Sequence, residues 1–362
     1  MEPGFPARVA IVGVGLMGGS LALAIRRFCP GVEVVGIDYP PVLERARWRR
    51  ALDRGHPPEG LAEGVAGADY VFLATPIRTI IRLIAEVAPL LKEGAILSDL
   101  GSTKVEICRT AERSVPDGIY FIGGHPLTGS EGRGIDHADP FLFQNAFYVL
   151  TPLNEPDEKT EELARFLERL GALILYLDPQ AHDRIVAYTS HLPQLLAVGL
   201  TNLIGREDYL SLAAGGFRDL TRVASSPYEI WEEILETNIA PIQEALDMFI
   251  KELIMLREQL GKGGLGEEFT QAARRRAGIP KNSKGFLRAF PRIAVLVPDR
   301  PGALAEITAA IAEDGINIKD IELLKVREWV GGTFQLCFES EEEAERAAEI
   351  LNGIGYESRV VE

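Results

Sequence analysis

The sequence predicts an α/β protein in three parts: a parallel sheet covered by helices, a helix-only second domain, and a small unit in β-α-β-β-α-β order. Three observations predict it. From Arg8 to about Leu177 short β-branched runs alternate with longer amphipathic segments, the pattern of a sheet buried on both faces. After Asp178 the strand signal stops and helical periodicity dominates to about Leu260. From Arg292 strands return, in the ferredoxin-like order.

In the first part Val9 to Val12, Val32 to Ile37, Tyr70 to Ala74, Ala95 to Ser98, Tyr120 to Ile122, Phe147 to Leu150 and Ala172 to Tyr176 read as strands. Between them Leu16 to Arg27, Ile77 to Leu91 and Pro156 to Leu170 read as helices. In the second part, Gly215-Gly216 and Ser225-Ser226-Pro227 break the helical pattern. The run Ile230 to Leu260 then reads as one long helix, with Ile234, Leu235, Ile242, Leu246, Phe249, Ile250 and Leu253 as buried positions, a second subunit being one expected source of packing. The glycine-rich, basic stretch Gly261 to Phe290 reads as a linker with one short helix. In the third part the order is strand Arg292 to Val297, helix Ala303 to Glu313, strand Ile316 to Val326, a Trp-Val-Gly-Gly turn, strand Thr333 to Phe338, helix Glu341 to Leu351 and strand Tyr356 to Val361. The expected domains are therefore 1–177, 178–260, a linker 261–290, and 291–362.

Composition narrows the function. The 362 residues, 46% apolar, suffice for two or three cores. With 53 acidic against 38 basic residues the formal net charge is -15, which disfavours nucleic acid and anionic membrane surfaces as partners. The Arg274 to Arg276 run reads as a solvated linker face, because no aromatic residue is interleaved with it. No apolar stretch is long enough to span a bilayer, and the N-terminus does not read as a secretion signal. Cys29, Cys108 and Cys337 are scattered and show no metal-binding spacing, so reduced thiols in a cytoplasmic protein and no metal centre are expected.

The strongest motif is Gly13-Val14-Gly15-Leu16-Met17-Gly18 between a strand and a helix, the Rossmann-type fingerprint. Gly13 serves the tight turn, Gly15 admits a pyrophosphate to the backbone, and Gly18 lets the helix pack on the sheet. Asp38, at the end of the second strand, would accept hydrogen bonds from the adenosine ribose and repel a 2′-phosphate, so NAD is expected. Leu16, Met17, Thr75 and Pro76, the last two just past the strand Tyr70 to Ala74, complete the expected cofactor-binding set. Two later turns, Ser98 to Lys104 and Gly123 to Glu131, should open on the same cleft and bring Ser102 and His125 to the nicotinamide. Histidine suits the task of draining a hydroxyl proton as hydride leaves. In the helical part, Ser190 to Gln194 and Gly215 to Arg222 stand out, and Arg222 or Arg218 would bind a carboxylate.

Together GVGLMGGSLA, DLGSTK, GGHPLTGSEGRG, TSHLPQ and GFRDLTRVASSPYEIW, in that order over about residues 8 to 260, resemble the prephenate dehydrogenase family. The segment with Asp299-Arg300-Pro301-Gly302-Ala303-Leu304 and Gly315-Ile316-Asn317-Ile318 resembles an ACT domain. The resemblance implies NAD-dependent oxidative decarboxylation of prephenate to 4-hydroxyphenylpyruvate in tyrosine biosynthesis. It implies that His125 accepts the proton of the ring C4 hydroxyl, that Ser102 orients that hydroxyl and the nicotinamide, and that Arg222 binds a substrate carboxylate. Ser190, Glu131 and Trp231 would border the pocket, the tryptophan coming from the partner chain in related dimers, so a homodimer through the helical domain is expected.

One position departs from the family pattern. Many relatives carry a histidine where Gln194 stands; a neutral Gln194 leans toward prephenate, since the ammonium of arogenate would prefer a carboxylate. In the ACT-like part the turn formed by Asp299, Gly302, Ala303 and Leu304, with Asn317, would receive the carboxylate of an amino-acid effector, tyrosine being the expected one. The alternatives are arogenate dehydrogenase, a β-hydroxyacid dehydrogenase, and a non-catalytic NAD-dependent sensor. The second would need a catalytic lysine, and Asp178 to Leu260 offers only Lys251.

Overall fold

The computed structural model describes residues 5–129, 132–205, 209–262, 264–278, 290–327 and 331–361. The chain divides into two compact units, Met1–Phe269 and Thr270–Glu362. The first is built on eight strands, β1 (Arg8–Val12), β2 (Glu33–Ile37), β3 (Arg54–His56), β4 (Tyr70–Leu73), β5 (Ile96–Asp99), β6 (Tyr120–Pro126), β7 (Phe147–Pro152) and β8 (Leu173–Tyr176). They lie in the order β3-β2-β1-β4-β5-β6-β7-β8. The chain reverses direction across the sheet at β1/β4, the switch point at which open α/β sheets bind ligands.

Apolar residues alternate between two cores along these strands. On β1, Val9 and Ile11 enter one cluster while Ala10 and Val12 enter the other, so both faces are covered, as expected. The helices that cover them are α1 (Leu16–Phe28), α2 (Pro40–Trp48), α3 (Leu61–Val65), α4 (Ile77–Val87), α5 (Val105–Ser114) and α6 (Glu158–Arg169). On α4, Ile77, Ile80, Leu83, Ile84 and Val87 make one buried stripe at helical spacing. Asp157 caps α6 by accepting from Thr160 N at 2.8 Å.

Two features differ from the expected sheet. β3 carries no apolar run, only Arg54-Gly55-His56, and forms because its backbone completes the edge beside β2. β6 and β7 pair antiparallel, whereas the other neighbours pair parallel. A parallel pair needs a crossover, usually helical, and the described residues between Pro126 and Phe147 offer only a three-residue turn at Ile135–His137.

The helical part begins with α7 (Pro179–Val186), capped by Asp178 through Ala181 N at 2.9 Å. A wider, π-type turn follows at Ala187–His191, then α8 (Leu192–Gly205), α9 (Gly215–Thr221), α10 (Tyr228–Thr237), α11 (Ile239–Leu260) and α12 (Gly266–Ala277). Pro193 at the start of α8 cannot donate an N–H back along the helix, which accounts for the local widening. The expected single helix Ile230 to Leu260 is in fact two. Asn238 leaves helical geometry (φ -128°, ψ 28°) and spends its side-chain amide on the carbonyl of Asp183. Ile234 and Ile242 are buried as expected, but Ile250 and Leu253 are about half exposed, on a face of α11 shared with Ile254.

The second unit follows the expected order closely: β9 (Arg292–Pro298), α13 (Ala303–Glu313), β10 (Asp320–Arg327), β11 (Gly331–Cys337), α14 (Glu341–Gly353) and β12 (Glu357–Val361). Its antiparallel sheet has the order β10-β11-β9-β12, with Ile293, Val295, Ile307, Ile311, Phe338 and Leu351 in the core beneath α13 and α14. Part of the expected linker, 279–289, and Trp329 and Val330 of the expected turn lie outside the described residues.

Candidate active site

The glycine loop between β1 and α1 is tightly constrained. Gly13 has φ +93°, and a Cβ there would stand 2.7 Å from the carbonyl oxygen of Ala74. Above Gly15, by contrast, a Cβ would meet nothing within 4 Å, which leaves room for a phosphate at the N-terminus of α1, where N–H groups lack carbonyl partners. Asp38 closes the loop from the end of β2: its carboxylate accepts from Val14 N at 2.6 Å and Tyr39 N at 2.7 Å. Thr75 and Pro76 sit where β4 ends and α4 begins, and Thr75 Oγ1 is buried with no hydrogen-bond partner in the structure. A cradle with an open glycine, an acceptor at the ribose position and an orphaned hydroxyl fits a dinucleotide.

Next to this cradle β5 and β6 run parallel, Ser98 opposite Ile122, so their C-terminal ends emerge side by side with Ser102 beyond one and His125 on the other. A buried pair, Lys104 and Asp99, holds the β6 end in place. Lys104 Nζ binds the Asp99 carboxylate and donates to the carbonyl of Gly124 at 2.7 Å; Asp99 accepts from the N–H of the same glycine at 3.1 Å. Gly124 has to be glycine, since a Cβ would stand 2.5 Å from the Asp99 carbonyl. Its fixed peptide presents His125.

His125 is partly buried, and its Nδ1 meets Nε2 of buried His182, on α7, at 2.8 Å. His182 Nδ1 in turn meets Asp183 Oδ1 at 2.8 Å. The Asp183 carboxylate also accepts from Lys104 N at 2.7 Å and Val105 N at 2.9 Å, at the start of α5. Burial, reinforced by His182, Lys104 and His191, holds the His125 pKa well below that of a free imidazole. Burial likewise lowers that of His182, against the opposing pull of Asp183. His125 is thus neutral at pH 7 and able to accept a proton.

Of the other expected residues, Gln194 is buried on α8 and Ser190 is exposed on the π-type turn. His191, beside Ser190, is buried; Asn238 Nδ2 lies 3.1 Å from its Nδ1, and the ring of Trp231 of the same chain packs edge-on against it, centroids 5.9 Å apart. Arg222 starts the short turn Arg222–Ser225 packed on α8 and is exposed, as is Arg218 on α9. The expected position Glu131 lies outside the described residues. The structure thus joins Asp38 to the glycine loop and sets Ser102 beside the strand that bears His125. The ring that His125 contacts is that of His182. His182 and Asp183 were missed; their one sequence signal is an adjacent His-Asp pair at the start of the first helix after the sheet.

Comparison with known proteins decides the family. Residues 21–176 match the model "Prephenate dehydrogenase, nucleotide-binding domain", residues 178–272 "Prephenate dehydrogenase, dimerization domain", and residues 292–355 the ACT domain. The chain belongs to the prephenate dehydrogenase family. It is 34% identical over 355 residues to the prephenate dehydrogenase of Bacillus subtilis (strain 168), covering 95% of each chain. Its fold is similar to that of the A. aeolicus prephenate dehydrogenase crystallised with hydroxyphenyl propionate and NAD+ (TM-score 0.68, 29% identity, 75% of this chain and 96% of that one). It is also similar to Synechocystis arogenate dehydrogenase (TM-score 0.64, 31% identity, 75% of this chain and 98% of that one). With family and cradle in agreement, the chain is an NAD-dependent dehydrogenase carrying a C-terminal ACT domain. Among the described residues no helix is long and apolar enough to cross a membrane.

Proposed function

We propose that the chain is a prephenate dehydrogenase, converting prephenate and NAD to 4-hydroxyphenylpyruvate, CO2 and NADH. The observation that carries this reading is the place of His125 at the C-terminal end of β6, beside the cofactor cradle and joined through Nδ1 to His182. Bound NAD supplies the hydride acceptor. His125 accepts the C4 hydroxyl proton as hydride leaves that carbon, and Ser102 orients the hydroxyl. The electrons of the bond to the departing carboxylate then return to the ring, which becomes aromatic, and the proton held by His125 goes back to the ring oxygen. Arg222 binds a substrate carboxylate, with Ser190, Glu131 and Trp231 at the pocket border.

Neutral, buried Gln194 supports prephenate over arogenate, because it offers no anion to the arogenate ammonium. Cys29, Cys108 and Cys337, scattered through the sequence with no metal-binding spacing, support a cytoplasmic setting. The residues divide as 1–177 for the cofactor, 178–260 for substrate and dimer contacts, a linker 261–290 and 291–362 for regulation. Tyrosine is the proposed effector. Gly302, in the left-handed region at φ +86°, turns the chain into α13, and Arg300, Glu306 and Tyr356 line a cleft of about 410 Å³ beside that turn. Arg300 and Glu306 pair with each other there (Nη1 to Oε1 2.9 Å), and an amino acid's carboxylate and ammonium would have to replace that pair.

Initial rates of NADH formation with prephenate and with arogenate, each with and without tyrosine, test the proposal. Preference for prephenate and inhibition by tyrosine are expected. Turnover of arogenate alone would overturn the Gln194 assignment, and rates unmoved by tyrosine would overturn the effector.

A further inference from the structure

Resting on the reading of His125 as the base, we propose that His182 and Asp183 are positioning residues that fix the tautomer of His125, with the proton on Nδ1 and the lone pair of Nε2 left for the substrate hydroxyl. The order of donors follows from one end of the chain of contacts. Asp183 spends its carboxylate on two backbone N–H groups, those of Lys104 and Val105, so it acts as an acceptor. Its 2.8 Å contact with His182 Nδ1 therefore has the imidazole donating. Neutral His182 then carries no proton on Nε2 and accepts there. The 2.8 Å contact with His125 requires Nδ1–H of His125 as the donor. What remains on His125 is an unprotonated Nε2. Burial keeps both rings neutral, so neither contact is a clash of two donors.

The pair also anchors the geometry. Asp183 ties the middle of α7 to the beginning of α5, and the Asn238 side chain donates to the Asp183 carbonyl at 2.8 Å, so His182 meets His125 at a fixed place. A group that sets the tautomer without touching substrate has a distinct signature: turnover falls while substrate binding stays.

The test reads the tautomer without any substrate. Nitrogen-15 NMR of the full chain labelled at its five histidines reports which ring nitrogen of His125 bears the proton at pH 7.5. The expected result is Nδ1–H in the unaltered protein and Nε2–H in His182→Leu, where the acceptor is gone. In His182→Gln an amide oxygen stands near the lost Nε2 and restores Nδ1–H. Turnover should follow the same order: His182→Leu loses roughly 100-fold or more in kcat with KM and NAD affinity within about twofold, and His182→Gln recovers most of it. An Nε2–H tautomer in the unaltered protein, or equal losses in the two variants, would overturn the proposal. If His125 carries its proton on Nδ1 and yet His125→Asn keeps full turnover, the base assignment fails and the tautomer assignment stands.

Discussion

At the scale of single residues, Asp38 shows how one carboxylate does two jobs. It receives the N–H of Val14 in the glycine loop and of Tyr39 just past β2, which shapes the loop, and in the proposed function it also sets a negative charge beside the adenosine ribose. A 2′-phosphate there would face a like charge at close range, a penalty of several kcal/mol. Asp38→Ser should therefore move the ratio of NAD to NADP use toward NADP by roughly tenfold or more, measured as kcat/KM for each cofactor. An unchanged ratio would remove Asp38 from cofactor selection. Asp38, Gly13 and His125 were legible in the sequence because each sits at a fixed offset from a recognisable strand end. His182 and Asp183 were not, because their meaning depends on meeting His125 across the fold, and local patterning carries no record of that contact. Lys104 and Asp99 lay inside a quoted motif, yet only the structure ties both to the backbone of Gly124.

Among elements, the site is assembled where α5, α7 and α10 abut. Thr103 and Thr237 share a 2.7 Å hydrogen bond, Asn238 reaches the Asp183 carbonyl, and His191 is wedged between Asn238 and Trp231. The break between α10 and α11 was illegible in the apolar pattern, since the periodicity continues through it and a polar contact of Asn238 decides the geometry. On the other side of the sheet, Arg49 donates to the carbonyls of Asp136 (2.8 Å) and Ala138 (2.7 Å), which pins the segment after β6 against the helices of the cofactor domain.

The wedge of histidines makes stability depend on pH. Burial lowers the His191 pKa from 6.5 to about 4, so the unfolded chain binds a proton between those values that the folded chain refuses. The stabilisation is fully present above pH 6.5 and is lost as pH falls toward 4, by about 3 kcal/mol from this group alone, with His125 and His182 acting in the same direction. Urea unfolding followed by tryptophan fluorescence at pH 7.5 and at pH 4.5 measures it. Equal stabilities would show that these rings are not buried neutral.

Across the whole molecule, α11 leaves an apolar face open among the described residues: Ile250, Leu253 and Ile254 are each between 43% and 50% exposed. A face of that kind in a region matching a dimerization-domain model belongs in a subunit contact. The protein should run as a dimer in light scattering, and Ile250→Glu with Leu253→Glu should produce monomers; a dimer that survives both changes must be built on another surface. The fold was most legible in the second unit, where turns, caps and alternation agree locally, and α13 begins and ends where the pattern predicts. It was least legible at β3 and at the antiparallel β6/β7 pair, where pairing follows from available edges and connection length rather than from apolar pattern.

The central claim is that His125 is the base of an oxidative decarboxylation driven by this cofactor domain. The most direct measurement is NADH formation from prephenate by the full chain and by His125→Asn, with NAD binding followed in parallel. One 4-hydroxyphenylpyruvate per NADH is expected in the unaltered protein, and in the variant intact NAD affinity with turnover down by roughly 100- to 10,000-fold. Near-normal turnover by His125→Asn would contradict it.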